Sequence, residues 1–138
     1  MATALPGDDP ELRRRVRLHQ ERRPAGWGTI AAGDLSRLPG EAAGWDAVLL
    51  DSLTLWVAAR LPEDGEEGTL ATFGRFLEDV RGLATPVVIV SDEVGLGIVP
   101  ESAETRAFRD ALGSVNQRAA GAAREVHLCV AGLGVRIK

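Results

Sequence analysis

The sequence predicts an α/β fold: a mainly parallel sheet flanked by helices, with an antiparallel strand at its C-terminal end. Three observations predict it. Short apolar runs at residues 45–51 and 86–91 each end in an acid or lead into a glycine-bearing loop. Between and after them, apolar residues recur every three or four positions, the period of a helix with one buried face. A last apolar run at 126–131 turns through Gly132-Leu133-Gly134 into Val135-Arg136-Ile137, as a hairpin does.

Taken in order, Pro6-Gly7-Asp8-Asp9-Pro10 reads as a turn, with Asp9 as N-cap and Pro10 at the first helical position. The helix that follows runs to about Arg22. Pro24 ends it, because the residue before a proline is pushed out of the α region. Residues 27–38 are short on period and rich in glycine, and we expect a strand fragment and a loop there. Residues 45–51 read as a buried strand carrying Asp51 at its C-terminal edge, where parallel sheets bind ligands. A helix packed back on the sheet should start near Ser52, and residues 62–68, with Pro62, Gly65 and four acids, read as a solvated loop.

Leu70, Phe73, Leu77 and Val80 mark the buried face of a helix over 69–83. Residues 86–91 form the clearest strand, rich in β-branched side chains. Beyond it Gly95 and Gly97 let backbone approach a ligand closely, or simply make a turn. Phe108, Leu112, Val115 and Ala119 lie on one face of a further helix, with Arg109 and Asn116 near it. Residues 126–131 read as another buried strand. Its Cys129 is expected to be a small buried hydrophobe, and its His127 structural or edge-exposed.

Composition narrows the function. The 138 residues make one domain's worth of chain, with 45% apolar and 26% charged residues. A net charge of −4 argues against a general nucleic-acid or anionic-membrane binder. One cysteine excludes a disulfide framework and a thiolate metal site within these residues. No apolar run approaches membrane-spanning length, so a cytoplasmic domain is the expectation. Fifteen of the sixteen cationic residues are Arg and the remaining one is Lys138.

Positive charge is instead local. Residues 12–27 carry six arginines and one of the two histidines. Leu12, Val16 and His19 fall on one helical stripe, with Arg15 and Arg22 beside them. This is either a solvated basic face or a site for a small polyanion, in which the imidazole reaches a phosphorus atom. Asp51 at the strand end is open in the same way: it is a helix N-cap, or it holds Mg²⁺ or a nucleotide.

Several strings together resemble one family, the bifunctional adenosylcobinamide kinase / adenosylcobinamide-phosphate guanylyltransferases of cobalamin assembly. They are Ala2-Thr3-Ala4, Arg15-Val16 through His19 to Arg23-Pro24 and Trp27, Leu49-Leu50-Asp51-Ser52-Leu53-Thr54, and Ser91-Asp92-Glu93-Val94-Gly95-Leu96-Gly97-Ile98-Val99-Pro100-Glu101. Phe108-Arg109-Asp110, Val115-Asn116-Gln117-Arg118 and the run from Val130 to Lys138 complete the match. Residues 33–46 and 58–68 add nothing to it.

The resemblance implies a three-layer P-loop-NTPase-like (RecA-like) fold and a two-step chemistry. ATP or GTP phosphorylates adenosylcobinamide. A histidine, matched by His19, then takes GMP from GTP and passes it to adenosylcobinamide phosphate. The implied nucleotide contacts are Ala2, Thr3, Ala4, Gln20, Glu21, Arg22, Arg23 and Asp51, the last also matching an acid that holds Mg²⁺. A homo-oligomer, a trimer by resemblance, is implied too.

Two departures carry expectations of their own. The family opens with a strand, a Gly-rich loop ending in Gly-Lys-Ser, a helix and a second strand, roughly 30 residues that would precede Ala2. We therefore expect residues 1–138 to be a single, N-terminally incomplete domain, poorly soluble and without kinase activity as it stands. The true protein would then be longer. The rival expectation is a catalytically inactive remnant, or a regulatory subunit that binds nucleotide or corrinoid. Second, Ala31 stands where the family carries a nucleotide-contacting glutamate.

Overall fold

The computed structural model describes residues 1–3, 10–30 and 33–138, and of Leu12 the backbone. The Asp9 cap, Ala4 and Ala31 lie outside the described residues. The architecture is α/β, built on a short parallel strand pair. Strand β1 (Val48–Asp51) pairs in parallel with β2 (Val87–Val90), in the register Val48 to Val87 and Asp51 to Val90. Ala2 forms one further parallel bridge to Asp51, on the other edge of β1. The side chains alternate: Val48 and Leu50 are buried, whereas Leu49 and Asp51 are half-buried on the opposite face.

That alternation corrects the expectation of strands buried on both sides. Val88 and Val90 are exposed, because the described helices cover one face of the pair and leave the other open. On the covered face lie the long helix α3 (Leu53–Arg81) and helix α4 (Ala103–Ala122), packed against each other. Trp56, Phe73 and Phe76 form the aromatic centre of this core, with ring centroids 5.8 Å apart for Trp56–Phe73 and 5.7 Å for Phe73–Phe76. Leu112 and Val115 of α4 are fully buried, as their spacing predicts.

Residues 62–68 are not the expected loop. They belong to α3, which is interrupted at Gly65 alone (φ 67°, ψ 179°). Glycine reaches that conformation without a steric penalty, so one residue absorbs the break and the helix resumes. The Thr69 hydroxyl donates to the Gly65 carbonyl at 2.7 Å, and Arg60 pairs with Asp64 and Glu63 in the turn before the break. The Ser52 hydroxyl accepts from the Leu55 N–H and caps the start of α3, so the cap is Ser52 and not Asp51.

Helix α1 (Pro10–Glu21) starts at its predicted proline. The segment after it holds no strand among the described residues. It leads instead to a 3-10 turn (Leu35–Arg37) and a short helix α2 (Leu38–Glu41), whose Leu35 and Leu38 enter the core. At the other end, β3 (His127–Val130) and β4 (Leu133–Arg136) make the predicted antiparallel hairpin. It stands as a sheet of its own and does not join β1 and β2. All its residues are exposed, Cys129 included, which overturns the buried reading of this strand. His127 is edge-exposed beside Glu125, at 3.3 Å. The Lys138 ammonium donates to the carbonyls of Ala120, Gly121 and Ala123, closing the C-terminal end of α4.

Candidate functional site

The open face of the β1–β2 pair forms the floor of a cleft of about 550 Å³. Leu49, Asp51 and Val88 supply that floor. The C-terminal end of α1 and the turn after it supply His19, Arg22, Arg23, Trp27 and Gly28, while Trp45 and Asp46 come from the segment entering β1. The turn has a local cause. Helical hydrogen bonding stops before Pro24, the Arg23 N–H falls back to the Gln20 carbonyl, and the Trp27 N–H to the Pro24 carbonyl. The Arg23 guanidinium also donates to the Thr29 hydroxyl, which fixes it along the turn.

His19 Nδ1 lies 3.7 Å from Asp51 Oδ2, with the imidazole side chain 67% exposed and the carboxylate 33% exposed. The separation is just beyond hydrogen-bond length. It leaves the other ring nitrogen, Nε2, available for chemistry.

Asp51 is held from behind. Its N–H donates to the Met1 carbonyl at 3.0 Å, and its carbonyl accepts from the Thr3 N–H at 3.0 Å. The buried Thr3 hydroxyl donates to the Ser52 carbonyl at 2.7 Å and accepts from the Ser52 N–H at 2.9 Å. Thr3 is therefore spent on backbone and does not line the cleft. Ala2 does line it, tied to Ile30 by its N–H at 2.7 Å.

Of the residues singled out from sequence, the structure brings His19, Arg22, Arg23, Asp51 and Ala2 to one cleft. Gln20 and Glu21 are exposed on α1 outside its lining, as are Arg13, Arg14, Arg15 and Arg17. Arg15 pairs with Glu11 one helical turn away, at 2.6 Å. The basic stretch thus divides into a solvated face and a two-arginine site. Trp45, Asp46 and Thr29 escaped the sequence reading, which absorbed the first two into the strand. With three Trp and three Phe in the chain, a tryptophan beside an acid at a strand's entry was the available signal.

No group of three or more metal-ligating side chains occurs among the described residues. The Asp51 carboxylate facing the cleft still fits Mg²⁺, which commonly takes one or two carboxylates together with substrate phosphates and water.

The fold and cleft define an α/β protein whose site gathers a histidine, two arginines and two carboxylates over the open face of parallel strands, with Asp51 at a strand's carboxyl end, a class suited to phosphorylated ligands. Comparison with known proteins specifies it. The model of the family described as cobinamide kinase / cobinamide phosphate guanyltransferase matches residues 1–137, and the chain belongs to that family. It is 37% identical over 145 residues to the bifunctional adenosylcobalamin biosynthesis protein CobU of Salmonella typhimurium, covering 94% of this chain and 80% of that one. It is 35% identical to CobU of Escherichia coli with the same coverage. The bifunctional adenosylcobalamin biosynthesis protein CobP of Pseudomonas aeruginosa is 34% identical, covering all of this chain and 80% of its own length.

Proposed function

We propose that the chain acts in adenosylcobalamin assembly, transferring GMP from GTP to adenosylcobinamide phosphate through a guanylyl-histidine on His19. The observation that carries this reading is the meeting of His19, Asp51, Arg22 and Arg23 in one cleft. In the proposed reaction Nε2 of His19 bonds to the α-phosphorus of GTP. The bond from that phosphorus to the bridging oxygen breaks, and pyrophosphate leaves with the electron pair. A phosphate oxygen of the corrinoid then attacks the same phosphorus, the P–N bond breaks, and its electron pair returns to the imidazole.

Asp51 orients the ring and offsets positive charge on it as the P–N bond forms. Arg22 and Arg23 offset charge on the phosphates. Thr3 acts by fixing the backbone that carries Asp51. Ala2, Ala4, Gln20 and Glu21 complete the proposed nucleotide-contacting set. Asp51 would also hold Mg²⁺, which when bound neutralises part of the phosphate charge.

The test is incubation with Mg²⁺ and GTP labelled at the α-phosphate. An acid-labile, base-stable GMP adduct should form at His19 and be absent from His19→Ala. No adduct on the wild type, or one that survives in His19→Ala, rejects the reading.

One observation favours a second reading for the kinase half. The lysine of this sequence, Lys138, is committed to the carbonyls that end α4. These residues thus offer no lysine for the phosphates of an ATP or GTP donor. In that reading the 138 residues bind nucleotide or corrinoid without phosphorylating adenosylcobinamide. Phosphorylation of adenosylcobinamide by this chain would reject it.

The same proposal includes a single domain of the three-layer P-loop-NTPase-like class, working in the cytoplasm. It also includes a homo-oligomer, a trimer by resemblance. The exposed apolar side chains of the hairpin, Val130 and Leu133 among them, support self-association.

A further inference from the structure

Two of the three tryptophans are left exposed, and both open onto the cleft that holds His19. Trp27 is 53% and Trp45 45% exposed, whereas Trp56 is buried in the core. Neither indole N–H has a protein partner among the described residues. Trp45 lies against bare backbone: a Cβ at Gly28 would stand 2.5 Å from its Cη2 and 2.8 Å from its Cζ2. Such an approach exists because residue 28 has no side chain. Next to it, the exposed Asp46 carboxylate lines the same cleft and forms no ion pair among the described residues.

We propose that Trp27, Trp45 and Asp46 form the subsite for the base of the nucleotide, and that Asp46 makes it prefer guanine. This rests on the nucleotide reading of the cleft given above. Indole faces stack on any nucleobase, so the two rings supply affinity without choosing among bases. Choice falls to the carboxylate, which only accepts hydrogen bonds. Guanine presents two adjacent donors on its pairing edge, N1–H and the 2-amino group, and a carboxylate accepts both. Adenine presents an acceptor at N1 beside its 6-amino donor and meets the same carboxylate with a lone pair. The charge pattern agrees with this occupant, since Arg22 and Arg23 line the same cleft for the phosphates.

The test is binding of GTP, ATP and inorganic tripolyphosphate to the full chain, by calorimetry and tryptophan fluorescence. The wild type should bind GTP more tightly than ATP, and GTP but not tripolyphosphate should quench fluorescence. Trp27→Ala and Trp45→Ala should each weaken GTP and ATP about 10-fold and leave tripolyphosphate unchanged. Trp45→Phe should stay near the wild type. Asp46→Asn should bring GTP down to the level of ATP, with ATP unchanged.

Equal loss of all three ligands in the Trp→Ala variants, or no loss of GTP, overturns the proposal. So does equal binding of GTP and ATP by the wild type, or a GTP preference that survives Asp46→Asn. In each of these outcomes tripolyphosphate binding leaves the phosphate site standing. If the wild type binds neither GTP nor tripolyphosphate, the nucleotide reading itself fails and this proposal fails with it.

Discussion

Nδ1 of His19 lies 3.7 Å from Oδ2 of Asp51, so the end of helix α1 and the end of strand β1 present an imidazole and a carboxylate to each other. The relationship has a chemical consequence. In the proposed reaction a carboxylate this close to Nδ1 offsets charge on the ring as Nε2 bonds to phosphorus. Replacing Asp51 by Asn keeps the shape and removes that charge. Asp51→Asn should therefore slow formation of the His19–GMP adduct about 10- to 100-fold. Single-turnover kinetics with labelled GTP across pH 6 to 9, roughly, would show the loss. An unchanged rate would mean that Asp51 neither orients nor assists His19.

The second prediction concerns the residue behind Asp51. The Thr3 hydroxyl satisfies both backbone groups of Ser52, at 2.7 Å and 2.9 Å, in a buried place. Thr3→Val keeps the side-chain shape and leaves a buried N–H and a buried C=O without a partner. We expect a loss of about 2–3 kcal/mol, measured by urea unfolding. Thr3→Ser retains the hydroxyl and should lose much less. If Val and Ser behave alike, the hydroxyl is not what holds this junction.

Legibility in the sequence followed the physics that local patterns report. Phe108, Leu112, Val115 and Ala119 announced the inner face of α4 because helical period and burial coincide there. Asp51 was visible as the acid closing an apolar run. His19 stood out among arginines, yet nothing local divided those arginines into a solvated face and the two that line the cleft. That division depends on Pro24 turning the chain back over β1. The hairpin at 127–136 differs for a related reason: an apolar run with a glycine turn reports strand formation, whereas burial needs a partner surface. Trp45 and Asp46 read as strand because the approach of Trp45 to Gly28 is a tertiary contact, with no trace in residues 45–51 themselves.

A third prediction uses the lowered pKa of Asp34. Asp34 caps the 3-10 turn, accepting from the Ser36 N–H at 2.9 Å. The side-chain hydrogen bond with Ser36, then the backbone bond to the same residue, holds its pKa below the ordinary 3.8. A carboxylate depressed on folding stabilises the fold above its unfolded value, and that stabilisation is lost as pH falls through the folded value. Asp34→Ala should cost about 0.5 kcal/mol at neutral pH, screened as this exposed group is. The difference between variant and wild type should shrink below about pH 4. Unfolding midpoints compared between neutral and acid pH test this. A difference that grows with acidity would contradict the cap.

The last prediction sets two glycines of the helical layer against each other. Gly65 holds φ 67° and ψ 179° inside α3, a conformation that residues with a Cβ rarely adopt. Gly113 lies in α4, where a Cβ would meet nothing within 4 Å. Alanine at 65 therefore meets backbone strain although the space around it is open, and Gly65→Ala should destabilise by about 1–3 kcal/mol. Alanine at 113 removes unfolded-state freedom without a clash, and Gly113→Ala should stabilise by about 0.4–1 kcal/mol. Thermal unfolding of the two single variants and the double variant measures both signs in one protein. The sites share no partner, so the effects should add to within roughly 0.5 kcal/mol. A neutral Gly65→Ala would show that α3 runs through residue 65 as an unbroken helix, with the acidic segment 62–68 carried on it without a kink.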